Sequence, residues 1–507
     1  MIDIVMKCLL PHLQKTIAKY DNRDLIERLI GLNESLINER EHKKISTPTR
    51  IACFVSEEQH IQDLMESLSE LSRTTIAVRC LVEHLRAEPA KGTKPVSKTA
   101  IDELIGIMDS IIAWGSTGDQ ITYHLFDVKM KVLNTGRIAI QKSEAEEIFD
   151  PYYQSKTKET VHDALTTFKQ EFPKYGEERI DQNIPTDLDK AFKEEFSISL
   201  SRISTFLDIL ASQIFVQKTS FIVMNKTALF TLVQSHRQPF DETEFRNALE
   251  FLSHKSWGDV TKPPKGYDTI DISPWRFNRK LSLLRKPIII CDSADQNNPL
   301  LFWGPRQVMV SRITILDQLL HDRFKVNEKG PIKKAMSKFS QVRGTSLVVT
   351  VLEGLKIPNT ILDSEVAISG HGKLRHSSDI GDIDVLLIDL FDKMIYSLEC
   401  KSFAPSRNIK EMIEECEKLI GSQSDKGLIQ KHVIRHQWIT TNLKKVGALY
   451  KQDLIGFRVK SVFVTREDML FPHMKQTGIE MPFVTLYELK NDGYGRLKKL
   501  PYIEPRA

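Results

Sequence analysis

Hydrophobic residues recur every three or four positions over much of the first 250 residues. Three segments show this spacing most clearly: 61–85, 99–114 and 186–217. Such spacing places apolar side chains on one face of a helix. The segment 121–141 instead alternates around Asn134-Thr135-Gly136, which predicts a pair of strands joined by a turn.

A segment rich in proline and glycine, 258–274 (GDVTKPPKGYDTIDISP), interrupts the helical pattern and is the best candidate for a domain boundary. Two apolar runs follow it, at 283–292 and 299–305, and predict strands. A chain of 507 residues is also too long for one ordinary hydrophobic core. We therefore expect an α+β multidomain protein with three regions: a mainly helical N-terminal region for target recognition or partner docking (1–265), a β-containing connector (266–330) and a C-terminal domain (331–507).

The pattern becomes regular in the C-terminal domain. It predicts, in order, a helix at 332–355, strands at 360–369, 383–390 and 394–402, a helical stretch at 408–446, and strands at 457–466 and 482–489. The three central strands form a predicted meander. A helical crossover before the next strand favours a parallel return, so the predicted sheet is mixed.

Charged side chains flank the two most apolar strands, in 381-GDIDVLLIDLFDKMIYSLECKS-402. Alternate side chains of a strand share a face, and adjacent strands lie about 4.8 Å apart. Asp384 can therefore meet Glu399 and Lys401 at one edge of the sheet if their faces coincide. Two neighbouring carboxylates repel unless a proton or a cation intervenes. Two carboxylates with one lysine leave negative charge that suits Mg²⁺, which prefers oxygen ligands.

Other groups near this edge would complete the predicted site. The Cys400 carbonyl oxygen would be a further metal ligand, whereas the Cys400 thiol should face the opposite side and pack as a small hydrophobe. Lys401 would orient water or stabilise charge growing on a phosphate. Asp382 lies two residues before Asp384 and is an alternative ligand, but Asp384 is favoured because it lies inside the apolar run.

Asp384, fourteen intervening residues and then Glu399-Cys400-Lys401 on consecutive strands resemble the PD-(D/E)XK nuclease superfamily, across about 331–490. The resemblance implies a restriction-endonuclease-like αβββαβ core and hydrolysis of phosphodiester bonds with Mg²⁺, for which Mn²⁺ can substitute. It further implies that Asp384 and Glu399 bind the metal and that Lys401 is catalytic. Glu365, on the first strand of the meander, is an auxiliary candidate ligand or a solvent-facing residue. No proline precedes Asp384, which departs from the superfamily pattern.

Basic residues beside this predicted site are candidates for contacts with nucleic acid. One pair lies in the glycine-bearing loop GHGKLRHSSDIG, and the other shares a helical face at i and i+4; they are Lys373 and Arg375, and Lys431 and Arg435. An ordinary connector and a solvated helical face are the alternatives for the two pairs. His432 and His436 are also four residues apart, but a zinc site there lacks an evident third ligand.

Charge is compatible with a polyanionic partner. The net charge is +4, and residues 331–507 have 27 Lys and Arg against 21 Asp and Glu. We expect DNA rather than RNA, because the resembling superfamily mostly cuts DNA. No phosphate-binding loop of the GxxxxGK[ST] type is present, so an ATPase would have to be a separate partner chain. Self-association is compatible with the sequence.

Six scattered cysteines without a CxxC pair fit a reducing compartment, and the first residues make a poor signal peptide. No segment is long enough to span a bilayer, so we expect a cytoplasmic protein without a membrane partner. The sequence predicts a Mg²⁺-dependent endonuclease, and the large appended N-terminal region suggests restriction or anti-phage defence. The alternatives are a catalytically silent nucleic-acid-binding or assembly module on a nuclease fold, and an RNA-processing nuclease.

Overall fold

The structure is a computed structural model, and it describes residues 2–123, 129–141, 143–171, 184–276, 278–291, 297–403, 406, 408–421, 426–474 and 481–502. The chain divides into two compact units. Unit 1 comprises Met1–Thr122 and Thr160–Phe339, and unit 2 comprises Tyr123–Glu159 and Ser340–Ala507. These units differ from the three predicted regions: residues 123–159 group with the C-terminal part, and the predicted connector belongs to unit 1.

Helices make up most of the described chain. The α-helices in chain order are α1 (Ile2–Ile4), α2 (Leu10–Ile17), α3 (Asn22–Cys53), α4 (Glu57–Ala87), α5 (Lys98–Thr122), α6 (Ser143–Glu171), α7 (Thr186–Phe196), α8 (Leu200–Gln217), α9 (Lys226–Gln234), α10 (Glu242–Leu252), α11 (Thr269–Ile272), α12 (Pro305–Leu320), α13 (Pro331–Gly354), α14 (Ile409–Ile420), α15 (Leu428–Thr441), α16 (Leu443–Tyr450), α17 (Leu486–Asp492) and α18 (Tyr494–Lys499). A π-helical turn spans Val5–Leu9, and a 3₁₀ turn spans Phe471–His473.

The strands of the described residues form three sheets. In chain order they are β1 (Lys129–Val132), β2 (Ile138–Gln141), β3 (Ile222–Asn225), β4 (Ser253–His254), β5 (Ile288–Cys291), β6 (Leu300–Trp303), β7 (Thr360–Ser369), β8 (Leu374–Arg375), β9 (Asp382–Asp389), β10 (Met394–Lys401), β11 (Arg458–Thr465) and β12 (Phe483–Thr485). β1 and β2 form the predicted hairpin, and β3-β6-β5-β4 form a four-stranded sheet in unit 1.

Unit 1 is mainly helical with this small sheet, as the sequence predicted. Glu34, on α3, is buried and accepts hydrogen bonds from the backbone N–H groups of Arg306 and Gln307, each at 2.8 Å. These donors belong to the first turn of α12, where N–H groups lack partners within the helix. A Cβ atom at Gly304 would overlap the Glu34 carboxylate, so only glycine permits this close approach.

Unit 2 is built on a mixed six-stranded sheet with the order β12-β11-β10-β9-β7-β8. β9 pairs antiparallel with both β7 and β10, and β10 pairs parallel with β11. The predicted order of a helix, a three-stranded meander, a helical crossover and a parallel strand is therefore present. One face of the sheet packs against apolar residues of α13, such as Leu347 and Val351, and the other packs against Trp438 and Ile439 of α15.

The predicted last strand, 482–489, was wrong in its second half. The strand ends at Thr485, and α17 begins at Leu486. The Thr485 hydroxyl accepts from the Glu488 N–H, and the Glu488 carboxylate accepts from the Thr485 N–H, which is a capping box that starts a helix. Among the residues that the structure describes, no helix is both long and apolar enough to cross a membrane.

Candidate active site

Asp384 and Glu399 lie opposite each other on neighbouring strands. The ladder between β9 and β10 ends at Val385 paired with Leu398, and the next position in the same register places Asp384 across from Glu399. Beyond Leu398, the backbone pairing between the two strands ends and a side-chain hydrogen bond takes its place. Asp384 Oδ2 accepts a hydrogen bond from the Cys400 backbone N–H at 2.7 Å. The carboxyl group of Asp384 thus holds the end of β10 in place.

Lys401 joins the two carboxylates. Its Nζ lies 3.1 Å from Asp384 Oδ2 and 2.9 Å from Glu399 Oε1, so both oxygens are within reach of one cation. The predicted convergence of these three side chains on one side of the sheet is therefore present. The exposed fraction of the side chain rises from 5% for Glu399 through 15% for Asp384 to 29% for Lys401. The cluster accordingly opens toward solvent on the side of Lys401.

Arg435 adds a second cation that the sequence analysis had placed elsewhere. Arg435 was predicted to contact phosphate, but the residue is buried on α15 and its guanidinium donates to Glu399 Oε2. Gly381, the first residue of GDID, has a φ of +89°, and a Cβ atom there would lie 3.0 Å from Arg435 Nη1. The glycine therefore both adopts a left-handed backbone conformation and leaves room for the arginine.

The second cation removes the excess negative charge that the sequence predicted for this cluster. Two carboxylates and one lysine would leave negative charge, but Asp384 and Glu399 face Lys401 and Arg435, so the formal charges of the four groups balance. Within the described ranges, no group of three or more His, Cys, Asp or Glu side chains is arranged to hold a metal ion. A cation at this site would have to draw Glu399 oxygens away from Lys401 or Arg435.

Burial shifts the ionisation of these groups. Desolvation raises the pKa of Glu399, although the charges of Lys401 and Arg435 oppose that rise. For Lys401, burial alone would lower the pKa, but attraction to Glu399 and Asp384 outweighs it and the pKa is raised. Lys401 is therefore held in its charged form while both carboxylates stay beside it.

Glu365 occupies a strained position next to these residues. The β7–β9 pairs Ser364–Val385 and Val366–Ile383 flank it, so its place in the register is directly opposite Asp384. Glu365 is exposed and has a φ of +50°, in the left-handed region that side chains other than glycine and asparagine rarely adopt. Strained residues cluster at functional sites, so this position agrees with a role for the carboxylate.

The Cys400 thiol lies on the opposite face of the sheet from the charged cluster, as expected. Its side chain is buried in the apolar cluster that contains Leu398 and Val464, on the side of the sheet that faces α13. Its N–H faces β9, and in an antiparallel ladder the C=O of the same residue faces the same neighbour. The Cys400 carbonyl is thus directed toward the strand that bears Asp384.

The other predicted basic residues differ in their solvent exposure. Lys373 and Arg375 are exposed; Lys373 Nζ donates to Asp363 Oδ1 at 2.8 Å, and Arg375 donates to the Gly370 carbonyl at 2.8 Å. Lys431 is half-buried. The face of α15 that includes His432, Arg435 and His436 is buried rather than solvated. His436 Nδ1 lies 3.0 Å from Ser461 Oγ, which gives that imidazole a structural partner.

Three side chains that were not predicted to belong to the site lie around it: His432, Arg343 and Arg466. His432 is fully buried, with Nδ1 3.8 Å from Glu399 Oε2, and desolvation lowers its pKa well below the ordinary value, so it is neutral at pH 7. Ser402 Oγ accepts from Arg466 at 3.1 Å and from Arg343 at 3.4 Å. The 3–4 spacing of apolar residues along α15 signalled that His432 faces the core, but nothing local signalled the two arginines.

Comparison with protein families gives a match over most of the chain. The profile of the Upx-like anti-phage proteins matches residues 1–463. The chain belongs to this family. No curated protein and no solved structure matches the chain. Membership of the Upx-like family supports a role in anti-phage defence, which the sequence analysis had suggested only from the size of the N-terminal region.

Proposed function

We propose that this Upx-like protein is a divalent-metal-dependent nuclease of anti-phage defence, with DNA as its substrate. The observation that carries the proposal is the contact of Lys401 Nζ with both Asp384 and Glu399 at the open end of β9 and β10. A lysine between two carboxylates at a sheet edge suits phosphodiester hydrolysis, because the reaction needs oxygen ligands for a cation and a positive group near the phosphate.

The oxygen donors fit a hard divalent cation such as Mg²⁺ or Mn²⁺. Asp384 and Glu399 would supply carboxylate oxygens, the Cys400 carbonyl faces the same strand, and Glu365 has a register position opposite Asp384. Such a cation, when bound, supplies Lewis acidity that makes water a better nucleophile and polarises a phosphate. Arg435 holds Glu399 from the buried side, so the oriented carboxylate does not depend on the cation.

The remaining groups have distinct tasks under this proposal. Lys401, kept charged by its neighbours, would stabilise negative charge that develops on the phosphate. Arg466 and Arg343 meet on Ser402, directly after Lys401, and would contact backbone phosphates of the substrate. Neutral His432 fills the space behind Glu399 and packs its ring edge-on against Phe463, with ring centroids 5.2 Å apart.

A cleavage assay tests the proposal. Purified protein is incubated with supercoiled plasmid, linear phage DNA and labelled RNA, each with Mg²⁺, Mn²⁺ or EDTA. We expect metal-dependent cleavage of DNA, and loss of about 100-fold or more of the rate in Asp384→Asn, Glu399→Gln and Lys401→Met. Asp392→Asn is the matched control, because Asp392 is an exposed acid in the turn at the opposite end of β9 and β10. Equal cleavage by Asp384→Asn and wild type would overturn the assignment, and faster cleavage of RNA would change the substrate.

Phage plating connects the activity with defence. Cells that express the wild-type chain should reduce plaque formation, and cells that express Asp384→Asn at the same level should not. Protection by the variant equal to that of wild type would separate anti-phage defence from these carboxylates.

The charge balance of the cluster favours one second candidate. Because Lys401 and Arg435 already compensate Asp384 and Glu399, the four groups can also serve as a buried ion network in a catalytically silent nucleic-acid-binding module. This module would bind DNA and leave it intact with every metal. In that case, Glu399→Gln would change stability and leave phage protection in place.

A further inference from the structure

Unit 1 contains buried arginines without carboxylate partners. Arg86, at the end of α4, and Arg285 are buried, and Lys286 beside Arg285 is half-buried; none of the three makes an ion pair within 4 Å among the residues that the structure describes. They are close to one another, since Arg86 Nη1 donates to the Lys286 carbonyl at 3.2 Å. Burying an uncompensated charge is costly, so such a group of cations predicts an anionic partner.

Backbone carbonyls accept from all three cations, but Arg86 and Arg285 each keep a buried nitrogen without a partner among the described residues. Arg86 also donates to the Leu281 carbonyl, Arg285 donates to the Lys325 carbonyl at 3.3 Å, and Lys286 Nζ donates to the carbonyls of Glu250, Phe251 and Ser253. These oxygens carry partial charge only. Burial lowers the pKa of Arg86 to about 10, and the negative charge of Glu83 opposes that shift only in part.

A cavity of about 40 Å³ lies beside Arg86, and Trp257 and His84 also line it. Two donors of its walls are unused: Arg86 Nε–H and Trp257 Nε1–H are buried, and neither has a hydrogen-bond partner in the described part of the chain. Arg86 is only 2% exposed. The volume exceeds the roughly 15 Å³ that one water needs on a comparable measure, so a small polyatomic group fits.

The acids that line the cavity are already committed to other partners. Glu83 accepts from Arg279 and, at 2.6 Å, from the Leu283 N–H. Asp271 accepts from the backbone N–H groups of Lys280 at 2.8 Å and Asp268 at 3.2 Å. The free donors and the uncompensated charge therefore favour an acceptor with negative charge rather than a metal ion.

We propose that this cavity binds a phosphate-type oxyanion, either as inorganic phosphate or as the phosphate group of a nucleotide, through Arg86 and Trp257. The oxyanion would accept from Arg86 Nε and Trp257 Nε1 and would neutralise the buried charge of Arg86. This site lies within unit 1 and is independent of the carboxylates of unit 2. It gives the helical part of the chain a ligand-binding role in addition to the proposed nuclease.

Thermal unfolding of the full chain tests the site, because a ligand that binds only the folded state raises the unfolding temperature in a saturable way. Inorganic phosphate and adenosine monophosphate are titrated separately at constant ionic strength. If the unfolding temperature saturates with both ligands, and at a lower concentration of the nucleotide, a nucleotide phosphate is the source. Saturation with phosphate alone would identify the free ion.

Variants separate a specific site from general salt effects. Trp257→Phe keeps an aromatic side chain but removes the N–H, so it should weaken binding by at least about tenfold, the value of one hydrogen bond to a charged group, and Arg86→Gln should weaken it further. Arg23→Gln changes an exposed arginine in unit 1 and should bind as wild type does. If Arg86→Gln fails to fold, Trp257→Phe decides alone. Equal affinity of Trp257→Phe and wild type, or no saturation with either ligand, would overturn the proposal.

Discussion

Arg435 donates a hydrogen bond to Glu399 Oε2 from a position where both side chains are almost completely buried. This pair explains why a glutamate can stand inside the packed sheet of unit 2. A buried carboxylate without a partner is strongly destabilising, and Lys401 alone approaches only Oε1. Arg435 is therefore a positioning residue for Glu399.

Arg435→Gln should lower the free energy of unfolding by about 3 kcal/mol, because it leaves part of the Glu399 charge buried and uncompensated. Urea unfolding curves measure the change. Arg496→Gln is the control, since Arg496 forms a partly exposed pair with Glu488 and should lose about 1 kcal/mol or less. In the double variant Glu399→Gln/Arg435→Gln, most of the loss should be recovered. Additive losses would show that the two residues are not coupled.

Glu365→Gly should raise the stability of the protein and lower its cleavage activity at the same time. Glycine removes the strain of a φ of +50°, which should raise the free energy of unfolding by about 0.5–1 kcal/mol. Loss of the carboxylate should lower metal-dependent cleavage, and Glu365→Ala should lower it equally without the gain in stability. Asn359→Gly is the control, because asparagine tolerates its own φ of +60° and should gain little. Unchanged cleavage in both Glu365 variants would remove this residue from the proposed site.

The three strands of the meander in unit 2 were predictable from the sequence because each has a clear local pattern. The span of β7 was predicted without error, and those of β9 and β10 within one residue at each end. The register followed from the tight turn at 391–393. The same pattern sufficed to bring Asp384, Glu399 and Lys401 together, since residues of one strand face alternate sides.

Contacts that depend on tertiary packing could not be predicted in this way. Arg435 and Lys431 share one helical spacing, yet Arg435 is buried and Lys431 only half-buried, and the choice depends on where α15 meets the sheet. The grouping of residues 123–159 with the C-terminal part also depends on contacts between residues that are far apart in sequence. Neither the burial of Arg435 nor the grouping of residues 123–159 can be read from the spacing of hydrophobic residues in the segment concerned.

Arg466→Gln should weaken binding to DNA of any sequence if Arg466 contacts a backbone phosphate. Loss of one such contact should reduce the slope of log affinity against log salt concentration by about 0.9. Binding is measured by fluorescence anisotropy at several salt concentrations, with EDTA present to prevent cleavage. Lys393→Gln is the control, because Lys393 is exposed in the turn between β9 and β10. A slope for Arg466→Gln equal to that of wild type would exclude the contact.

Glu34 should make the stability of the protein depend on pH near neutrality. Burial raises its pKa to about 7, although two backbone N–H groups oppose the shift. Between its ordinary pKa of 4.5 and about 7, the folded protein binds this proton more tightly than the unfolded chain, so the Glu34 contribution to stability falls as pH rises. Glu34→Gln does not titrate. Its free energy of unfolding relative to wild type should therefore increase between pH 5 and pH 8, by about 3 kcal/mol at most.

Urea unfolding at several pH values measures this difference, and Glu39→Gln provides the comparison. Glu39 lies on the same helix and its side chain is 55% exposed, so Glu39→Gln controls for the loss of one carboxylate from that helix. A flat difference for Glu34→Gln would mean that Glu34 is already ionised at pH 5. The N–H groups at the start of α12 would then stabilise the charge enough to offset burial, as a helix N-terminus does for an anion.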